Sequence, residues 1–361
     1  MVFLQGNCLD ILKTINDESI DCIITSPPYY GLRDYKTEPI IWDEYSQCEH
    51  NWNTTNSTMH SGRGIPGSKY STMEPVSDIP ISHSFCTRCN AWKGQLGQEP
   101  TIQLFVKHLV EIFRECKRVL KKEGTCWVVI SDSFDDDKSM SMVPERFAMS
   151  MIDDGWILRN KIIWKKNNCM PSSAKDRFTV DYENIYFFTK SRKYYFKTQY
   201  EPFETQEKRP MGITRANNWG YISKYDGTGL YGKKNVKMPP IGGVKQLDNG
   251  NPTYSGNRPD WSELGRNARA VWEINTKPFS EAHFAVFPEK LVEKCLDAGC
   301  PDKGTVLDIF SGAGTTALVA QKSFRNWIGI ELNKDYIEIS KKRLLPFVKQ
   351  MRLDLCLNLN Y

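Results

Sequence analysis

Two short segments carry residue types that could do chemistry together. The first is a glycine turn. Residues Thr305–Phe310 read as an apolar strand that runs into Ser311-Gly312-Ala313-Gly314-Thr315-Thr316, and a helical pattern continues to about Lys322. In open α/β sheets, ligands bind beyond the carboxyl ends of the strands. Gly312 and Gly314 let a backbone approach a ligand closely, and the start of the helix offers N–H donors. Glu331 closes the next strand, 17 residues after Gly314, where a carboxylate can accept both hydroxyls of a ribose. The turn is not the Gly-x-Gly-x-x-Gly dinucleotide pattern and has no Walker lysine. An adenosyl ligand without a pyrophosphate fits it, with S-adenosylmethionine as the leading candidate. Taken alone, the segment also reads as an ordinary strand–helix connection.

The second segment is Thr25-Ser26-Pro27-Pro28-Tyr29-Tyr30, which follows the apolar strand Cys22–Thr25. Two prolines fix the backbone and remove two N–H donors. What faces a crevice there is acceptor-rich: the Ser26 hydroxyl and the Pro27 carbonyl. Tyr29 adds a flat aromatic face. An exocyclic amine on a planar base can donate both its N–H groups to such acceptors, which localises the nitrogen lone pair for attack on a sulfonium methyl. The tyrosine can stack on a base flipped out of a duplex. A bare Ser-Pro-Pro, by contrast, is more often a stiff surface turn.

The elements that must hold these segments are legible in the periodicity. Strand signals lie at Val2–Leu4, Cys126–Ile130, Trp156–Trp164, Ile185–Phe188 and Trp327–Glu331, and helical ones near Asp10–Ile15, Pro144–Ile152, Pro288–Ala298 and Asp335–Leu345. Between Thr101 and Leu120, the residues Leu104, His108, Leu109, Ile112, Phe113 and Cys116 recur at helical spacing. From Ile41 to Gly97 the chain is polar without periodicity and reads as an irregular inserted loop. The C-terminal stretch ends β-α-β-α, whereas the N-terminal one opens β-α-β. Right-handed crossovers in a parallel sheet can join both ends into one doubly wound α/β domain. The predicted organisation is 1–190 as one half, with 41–97 inserted, 191–262 as a separate region, and 263–361 as the other half.

Composition narrows the classes. The longest apolar run in the 361 residues is Cys126–Ile130, far short of the roughly 20 residues a membrane helix needs. The first ten residues show no signal peptide. An odd count of 11 cysteines without an export signal favours a reducing cytoplasm over a disulfide framework. Net charge is +5 and uneven: residues 190–260 hold 13 basic against six acidic residues, with ten aromatics and nine glycines. Lys and Arg there, such as Arg192, Lys193, Lys233 and Lys234, could contact phosphates, or the segment is simply a solvated insert. Cys86-x-x-Cys89 is half of a structural zinc pattern, and Cys48-x-His50 could supply the other half. His60 or His83 could stand in for His50, and four unrelated loop residues are the plainer alternative.

Together these motifs resemble the DNA amino-methyltransferases, which methylate cytosine N4 or adenine N6. Ser26-Pro27-Pro28-Tyr29 matches their catalytic motif. Asp308-x-Phe310-Ser311-Gly312-x-Gly314-Thr315-Thr316 matches their cofactor motif, and Glu331 their ribose carboxylate. His283-Phe284-Ala285-Val286-Phe287-Pro288 is similar to a second cofactor segment, and Asp10 falls where the family places an acidic residue. The catalytic motif precedes the cofactor motif, as in the circularly permuted β-type subgroup. Ile309 and Phe284 stand where prolines are frequent. The resemblance implies a Rossmann-like S-adenosylmethionine-dependent fold built from both termini, double-stranded DNA as partner, and a prokaryotic or phage-encoded cytoplasmic enzyme. It assigns 191–262 to target recognition, with Arg266 and Arg269 just after it as phosphate contacts. The Ser-first motif is associated with cytosine N4 and an Asp- or Asn-first motif with adenine N6, which stays the alternative. Related enzymes carry a similar Cys/His set, implying a structural zinc. A restriction endonuclease partner and a homodimer are both compatible with the family. Carbon-5 methylation is set aside, because it needs a thiolate nucleophile and the chain has no Pro-Cys dipeptide. A DNA-binding module without activity, and methylation of RNA or protein amides, are the remaining readings; the intact Ser26 motif counts against both.

Overall fold

The computed structural model describes residues 1–31, 37–43, 45, 47–59, 79–135, 137–202, 265–276 and 286–358. The elements are β1 (Val2–Gln5), α1 (Cys8–Thr14), β2 (Ile20–Thr25), β3 (Ile40–Trp42), β4 (Trp52–Met59), β5 (Ile79–Cys86), β6 (Trp92–Gly94), α2 (Ile102–Val119), β7 (Leu120–Ile130) and α3 (Val143–Asp153). They continue with β8 (Ile157–Lys165), β9 (Tyr182–Thr189), β10 (Tyr200–Glu201), β11 (Arg266–Asn267), β12 (Val271–Glu273), α4 (Glu289–Gly299), β13 (Thr305–Asp308), α5 (Thr315–Lys322), β14 (Asn326–Glu331) and α6 (Lys334–Asn358).

Alternation in the strands builds a sheet with two buried faces. In β7, Cys126, Val128 and Ile130 join one core with α1, α2 and α3, while Trp127 and Val129 join another with α4 and α5. Helix α2 shows why the amphipathic pattern was readable: Phe105, Leu109, Ile112, Phe113 and Cys116 are fully buried, and the Thr101 hydroxyl caps its start by accepting from the Leu104 N–H at 3.2 Å. The large sheet has the order β1-β14-β13-β2-β7-β9-β8-β12. The C-terminal strands β14 and β13 lie between the N-terminal strands β1 and β2, all parallel. The expected union of both chain ends is therefore present. One strand departs from the expected parallel course: β9 runs antiparallel to both β7 and β8. Among the described residues no helix is long and apolar enough to cross a membrane.

The chain divides into two compact units, Met1–Thr198 with Arg269–Tyr361, and Gln199–Ala268. The first cut falls later than the expected 190/191 because residues after β9 still belong to the sheet domain. There the Tyr195 N–H donates to the Glu123 carbonyl, the Lys197 N–H donates to the Ala298 carbonyl, and the Tyr194 ring meets Phe187 edge-on. The second cut, at 268/269 rather than 262/263, leaves Arg266 in the smaller unit, where β10 and β11 pair antiparallel.

The described residues of the insert do not form an irregular loop. They form an antiparallel sheet of order β3-β6-β5-β4. Its strands are rich in Thr, Ser and Asn, as where Thr54 faces Ser84 across the β4–β5 pair, so no apolar alternation announces them. Trp42 and Trp92 are its buried exceptions, and both rings stack on His108 of α2, at 4.4 and 5.4 Å between centroids. Nδ1 of His108 lies 2.9 Å from Glu99 Oε1, and Glu99 Oε2 accepts the Gly97 N–H at 2.8 Å. Burial pushes the Glu99 carboxyl up, against His108 and the backbone donors. This cluster fixes the turn at Gly97, whose carbonyl accepts the Gly31 N–H at 2.9 Å. Gly97 has φ +93°, and a Cβ there would lie 3.2 Å from the Tyr29 carbonyl oxygen. The insert thus braces the underside of the Pro-Pro-Tyr turn.

Candidate active site

Strands β13 and β2 come from opposite ends of the sequence and lie side by side, so their carboxyl ends deliver the glycine turn and the Ser26 turn to one place. A single bond stitches them: the Thr25 hydroxyl donates to Asp308 Oδ1 at 2.8 Å across 283 residues of sequence. Asp308 is buried and also accepts from the Thr316 hydroxyl at 2.7 Å and the Phe310 N–H at 3.2 Å. Burial dominates its titration and raises the carboxyl from 3.8 to about 6, against those three donors.

A cavity opens above this stitch. Its walls include Ser26, Pro27, Pro28 and Tyr29 on one side and Phe310, Ser311, Gly312, Ala313 and Thr315 on the other, with Phe287, Glu331, Asn333 and Tyr336 completing one end. Gly314 begins α5 at φ +72°, a conformation that glycine adopts without strain. A Cβ there would lie 2.8 Å from the Ser340 side chain. Glu331 ends β14 with both oxygens engaged, Oε2 by the Gly312 N–H and Oε1 by the Asn333 N–H, each at 2.8 Å. Burial raises its carboxyl, which those N–H groups oppose. The Ser311 hydroxyl is buried at the wall with no partner in the described protein. The apolar walls of Phe287, Ile309, Phe310, Ile330 and Leu332 suit a purine ring. A ribose-accepting carboxylate, an open hydroxyl and an apolar slot are the donor set an adenosyl group needs, so these residues fit S-adenosylmethionine.

The sequence-predicted residues do not all reach the cavity. Asp308, Gly314 and Thr316 shape it from beneath, and Pro288 caps the start of α4. Asp10 is a correction: α1 turns it to solvent, with its side chain 72% exposed and 4.0 Å from Lys13. The preceding turn supplies Gly6, Asn7 and Cys8 instead. Asn7 caps α1, its side-chain oxygen accepting the Leu9 N–H at 3.1 Å. An Asn between a strand and a helix was the available signal. His283 and Phe284 lie outside the described residues.

At the Ser26 turn, the Ser26 hydroxyl donates to the Tyr29 hydroxyl at 3.2 Å, and Tyr29 donates to Glu183 Oε2 at 2.7 Å. Lys166 pairs with the other Glu183 oxygen. Neither Glu183 nor Lys166 stands out in sequence, because nothing local ties β9 to the Ser26 turn.

The basic residues separate. Because β9 is antiparallel, its end carries Arg192 and Lys193 to the amino edge of the parallel strands, away from the cavity, where Lys193 pairs with Glu123 at 3.3 Å. In the smaller unit, Arg266 pairs with Glu201 at 2.8 Å. Arg269 belongs to the sheet domain and its charge helps hold the Glu273 carboxyl down, after the stronger effects of Asn167 and Lys165. Lys233 and Lys234 lie outside the described residues.

The insert brings Cys48, His50, Cys86 and Cys89 together, with their ligand atoms all within 4.8 Å of one another. Cys48 Sγ lies 3.7 Å from Cys86 Sγ, and Cys89 Sγ 3.5 Å from His50 Nδ1. A zinc tetrahedron with Zn–S bonds of about 2.3 Å has edges of about 3.8 Å, so the spacing fits that ion. Burial opposes ionisation of Cys86, but backbone N–H groups of Cys89, Arg88 and Asn51, together with His50, outweigh it and bring the thiol down to about 5. Burial and the neighbouring sulfurs push Cys48 up to about 12. His60 lies outside the described residues.

A family model described as DNA methylase matches residues 20–342. The chain is 29% identical to the Type II methyltransferase M.SmaI of Serratia marcescens over 95% of this chain and 90% of that one. It is 28% identical to M.Cfr9I of Citrobacter freundii, over 94% and 86%. Among solved structures it is similar in fold to the cytosine-N4-specific PvuII DNA methyltransferase, with TM-score 0.54 and 17% identity over 95% of this chain and 85% of that one. A candidate DNA modification methylase of Thermus thermophilus, solved in complex with S-adenosyl-L-methionine, matches with TM-score 0.50 and 17% identity, covering 96% of this chain and 93% of that one.

Proposed function

The chain belongs to the N6/N4 family of DNA methylases, the β-type amino-methyltransferases, and from that premise we propose that it transfers a methyl group from S-adenosylmethionine to the N4 amine of cytosine in a specific duplex sequence. One observation carries the reading: the acceptor-rich Ser26 turn and the glycine turn with Glu331 line the same cavity. Glu331 would hold the ribose, Phe287 and Ile309 the purine, and the backbone of Ser311–Ala313 with Asn7 the remainder. Bound there, S-adenosylmethionine supplies an electrophilic methyl on sulfur. Ser26 and the Pro27 carbonyl hold the amine by its N–H groups, so that its lone pair is localised on nitrogen rather than shared with the base ring. Tyr29 covers the base, which must leave the duplex to enter so enclosed a site. The residues between the two halves of the sheet domain, Gln199–Ala268 with their excess of positive charge, read the target, with Lys233, Lys234 and Arg266 there and Arg269 just after it as candidates for phosphate contact.

The serine at the head of the motif supports cytosine over adenine. The Type II names of the relatives support a restriction–modification setting, with a companion endonuclease of the same specificity. The four ligands of the insert form a closed, structural zinc site, which ties down a sheet whose strands are polar in sequence.

The test is incubation with unmethylated plasmid DNA and labelled cofactor, followed by nucleoside mass spectrometry. N4-methylcytosine is expected. N6-methyladenine would transfer the proposal to adenine, and no methylation of any DNA would overturn it. Ser26→Ala is expected to abolish most turnover while cofactor affinity is retained.

A further inference from the structure

We propose that Glu183 commits Ser26 to the acceptor role and receives, through Tyr29, the proton that the target amine sheds. This rests on the amino-methyltransferase reading above. An ionised carboxylate only accepts hydrogen bonds. The single proton of the Tyr29 hydroxyl is therefore spent on Glu183 Oε2, 2.7 Å away. The Tyr29 oxygen is left to accept, and Ser26, at 3.2 Å, gives it the serine proton. The lone pairs of Ser26 are then all that it can present to a substrate. Without the carboxylate, Tyr29 could donate to Ser26 instead. Ser26 could then turn its own proton toward the amine and tie up the lone pair that must attack.

The topology explains why this residue does the job. Glu183 sits at the second position of β9, opposite Trp164. In a parallel strand that position would lie at the amino edge of the sheet. The reversed course of β9 brings it to the carboxyl edge, beside the Ser26 turn. Lys166, just past β8, holds the other oxygen of Glu183, and its ammonium lies 4.5 Å from the centroid of the Trp164 ring. The acceptor is thus anchored from the side remote from Tyr29.

The same three groups carry the proton out. When the lone pair of the amine forms the new N–C bond, the electrons of the broken S–C bond stay on sulfur, and the nitrogen is left with one positive charge. It loses one proton to Ser26 Oγ as Ser26 passes its own to Tyr29 and Tyr29 passes its own to Glu183. The methylated amine ends neutral and Glu183 ends as the carboxylic acid, which returns its proton to solvent before the next turnover. Glu183 touches neither base nor cofactor and is a positioning residue and proton sink.

The experiment measures single-turnover methyl transfer on plasmid DNA that the wild-type protein methylates, alongside cofactor and DNA affinities. Glu183→Gln is expected to slow transfer about 100-fold, within the usual range for proton transfer catalysis, with both affinities within about twofold of wild type. Glu183→Asp, which restores a carboxylate, is expected to recover much of the rate. Tyr29→Phe keeps the ring but cuts the chain. Its effect and that of Glu183→Gln should not add in the double variant, because both break one path. Transfer by Glu183→Gln within about threefold of wild type, or full additivity in the double variant, overturns the proposal. If Glu183→Gln does not fold, Tyr29→Phe carries the rate test alone, and an undiminished rate there is equally fatal. A wild-type protein that methylates no DNA refutes the parent reading, whereas an active wild type with undiminished variants refutes this inference only.

Discussion

Thr25→Val removes one hydroxyl and nothing else of consequence, since the two side chains are nearly the same size. The hydroxyl is one of three donors to the buried Asp308 carboxylate and the one that bridges the two ends of the chain. A hydrogen bond to a charged group is worth about 1.5–3 kcal/mol, and one between neutral groups about 0.5–1.5. Asp308 titrates at about 6 in the folded protein against 3.8 when free. A carboxyl raised in this way favours the folded state at low pH and withdraws that support as pH rises through the window from 3.8 to 6. Losing the Thr25 donor weakens the ionised form more than the neutral one, so the titration moves further up. The loss of stability should therefore be about 1 kcal/mol at pH 5 and about 2–3 kcal/mol at pH 8. Equilibrium urea denaturation at both pH values measures it. In an Asp308→Asn background the difference between the two pH values should vanish. An equal loss at pH 5 and pH 8, or a loss below about 0.5 kcal/mol at pH 8, would show that Asp308 is not ionised against Thr25 and that the stitch contributes little.

Three further substitutions probe the cofactor end and the insert. Gly314→Ala places a Cβ in left-handed backbone and 2.8 Å from Ser340; strain of about 1–2 kcal/mol from the backbone alone should lower Tm by several degrees and weaken S-adenosylmethionine in calorimetric titration. Glu331→Gln halves the carboxylate acceptors while the Gly312 and Asn333 N–H groups still need them, so cofactor Kd should rise about 10- to 100-fold with little change in the rate of transfer at saturation. Metal analysis should find one zinc per chain in the wild type and none in Cys86→Ser, and chelation should lower the thermal stability of the wild type but not that of the variant. A wild type free of zinc would refute the metal site.

The residues of the two turns were legible because their chemistry is local. Ser26-Pro27-Pro28-Tyr29 is stiff and acceptor-rich wherever it sits, and Gly312 and Gly314 mark a backbone turn that few other residues permit. Helix α2 and strand β7 were legible for a related reason: burial on one helical face, or on both sheet faces, writes itself into apolar periodicity. The polar insert was not, because its strands trade apolar alternation for Thr, Ser and Asn pairs and lean on two tryptophans and a histidine from α2. Asp10 misled because one turn of helix separates the cavity from solvent, and the position three residues earlier, Asn7, is the one that faces inward.

What the sequence determined by itself is therefore the inventory: the turns, the elements that carry them, the spacing of the Cys/His set, and the order that lets both chain ends share a sheet. What only the tertiary structure decided is adjacency across that sheet. The Thr25–Asp308 stitch spans 283 residues of sequence, and the antiparallel course of β9 does two things no local pattern encodes. It sends Arg192 and Lys193 to the far edge of the sheet, and it brings Glu183 to Tyr29. Strand direction is fixed by how the whole sheet closes, through hydrogen bonds that any residue's backbone can make, so it leaves no mark on the side chains it carries into place.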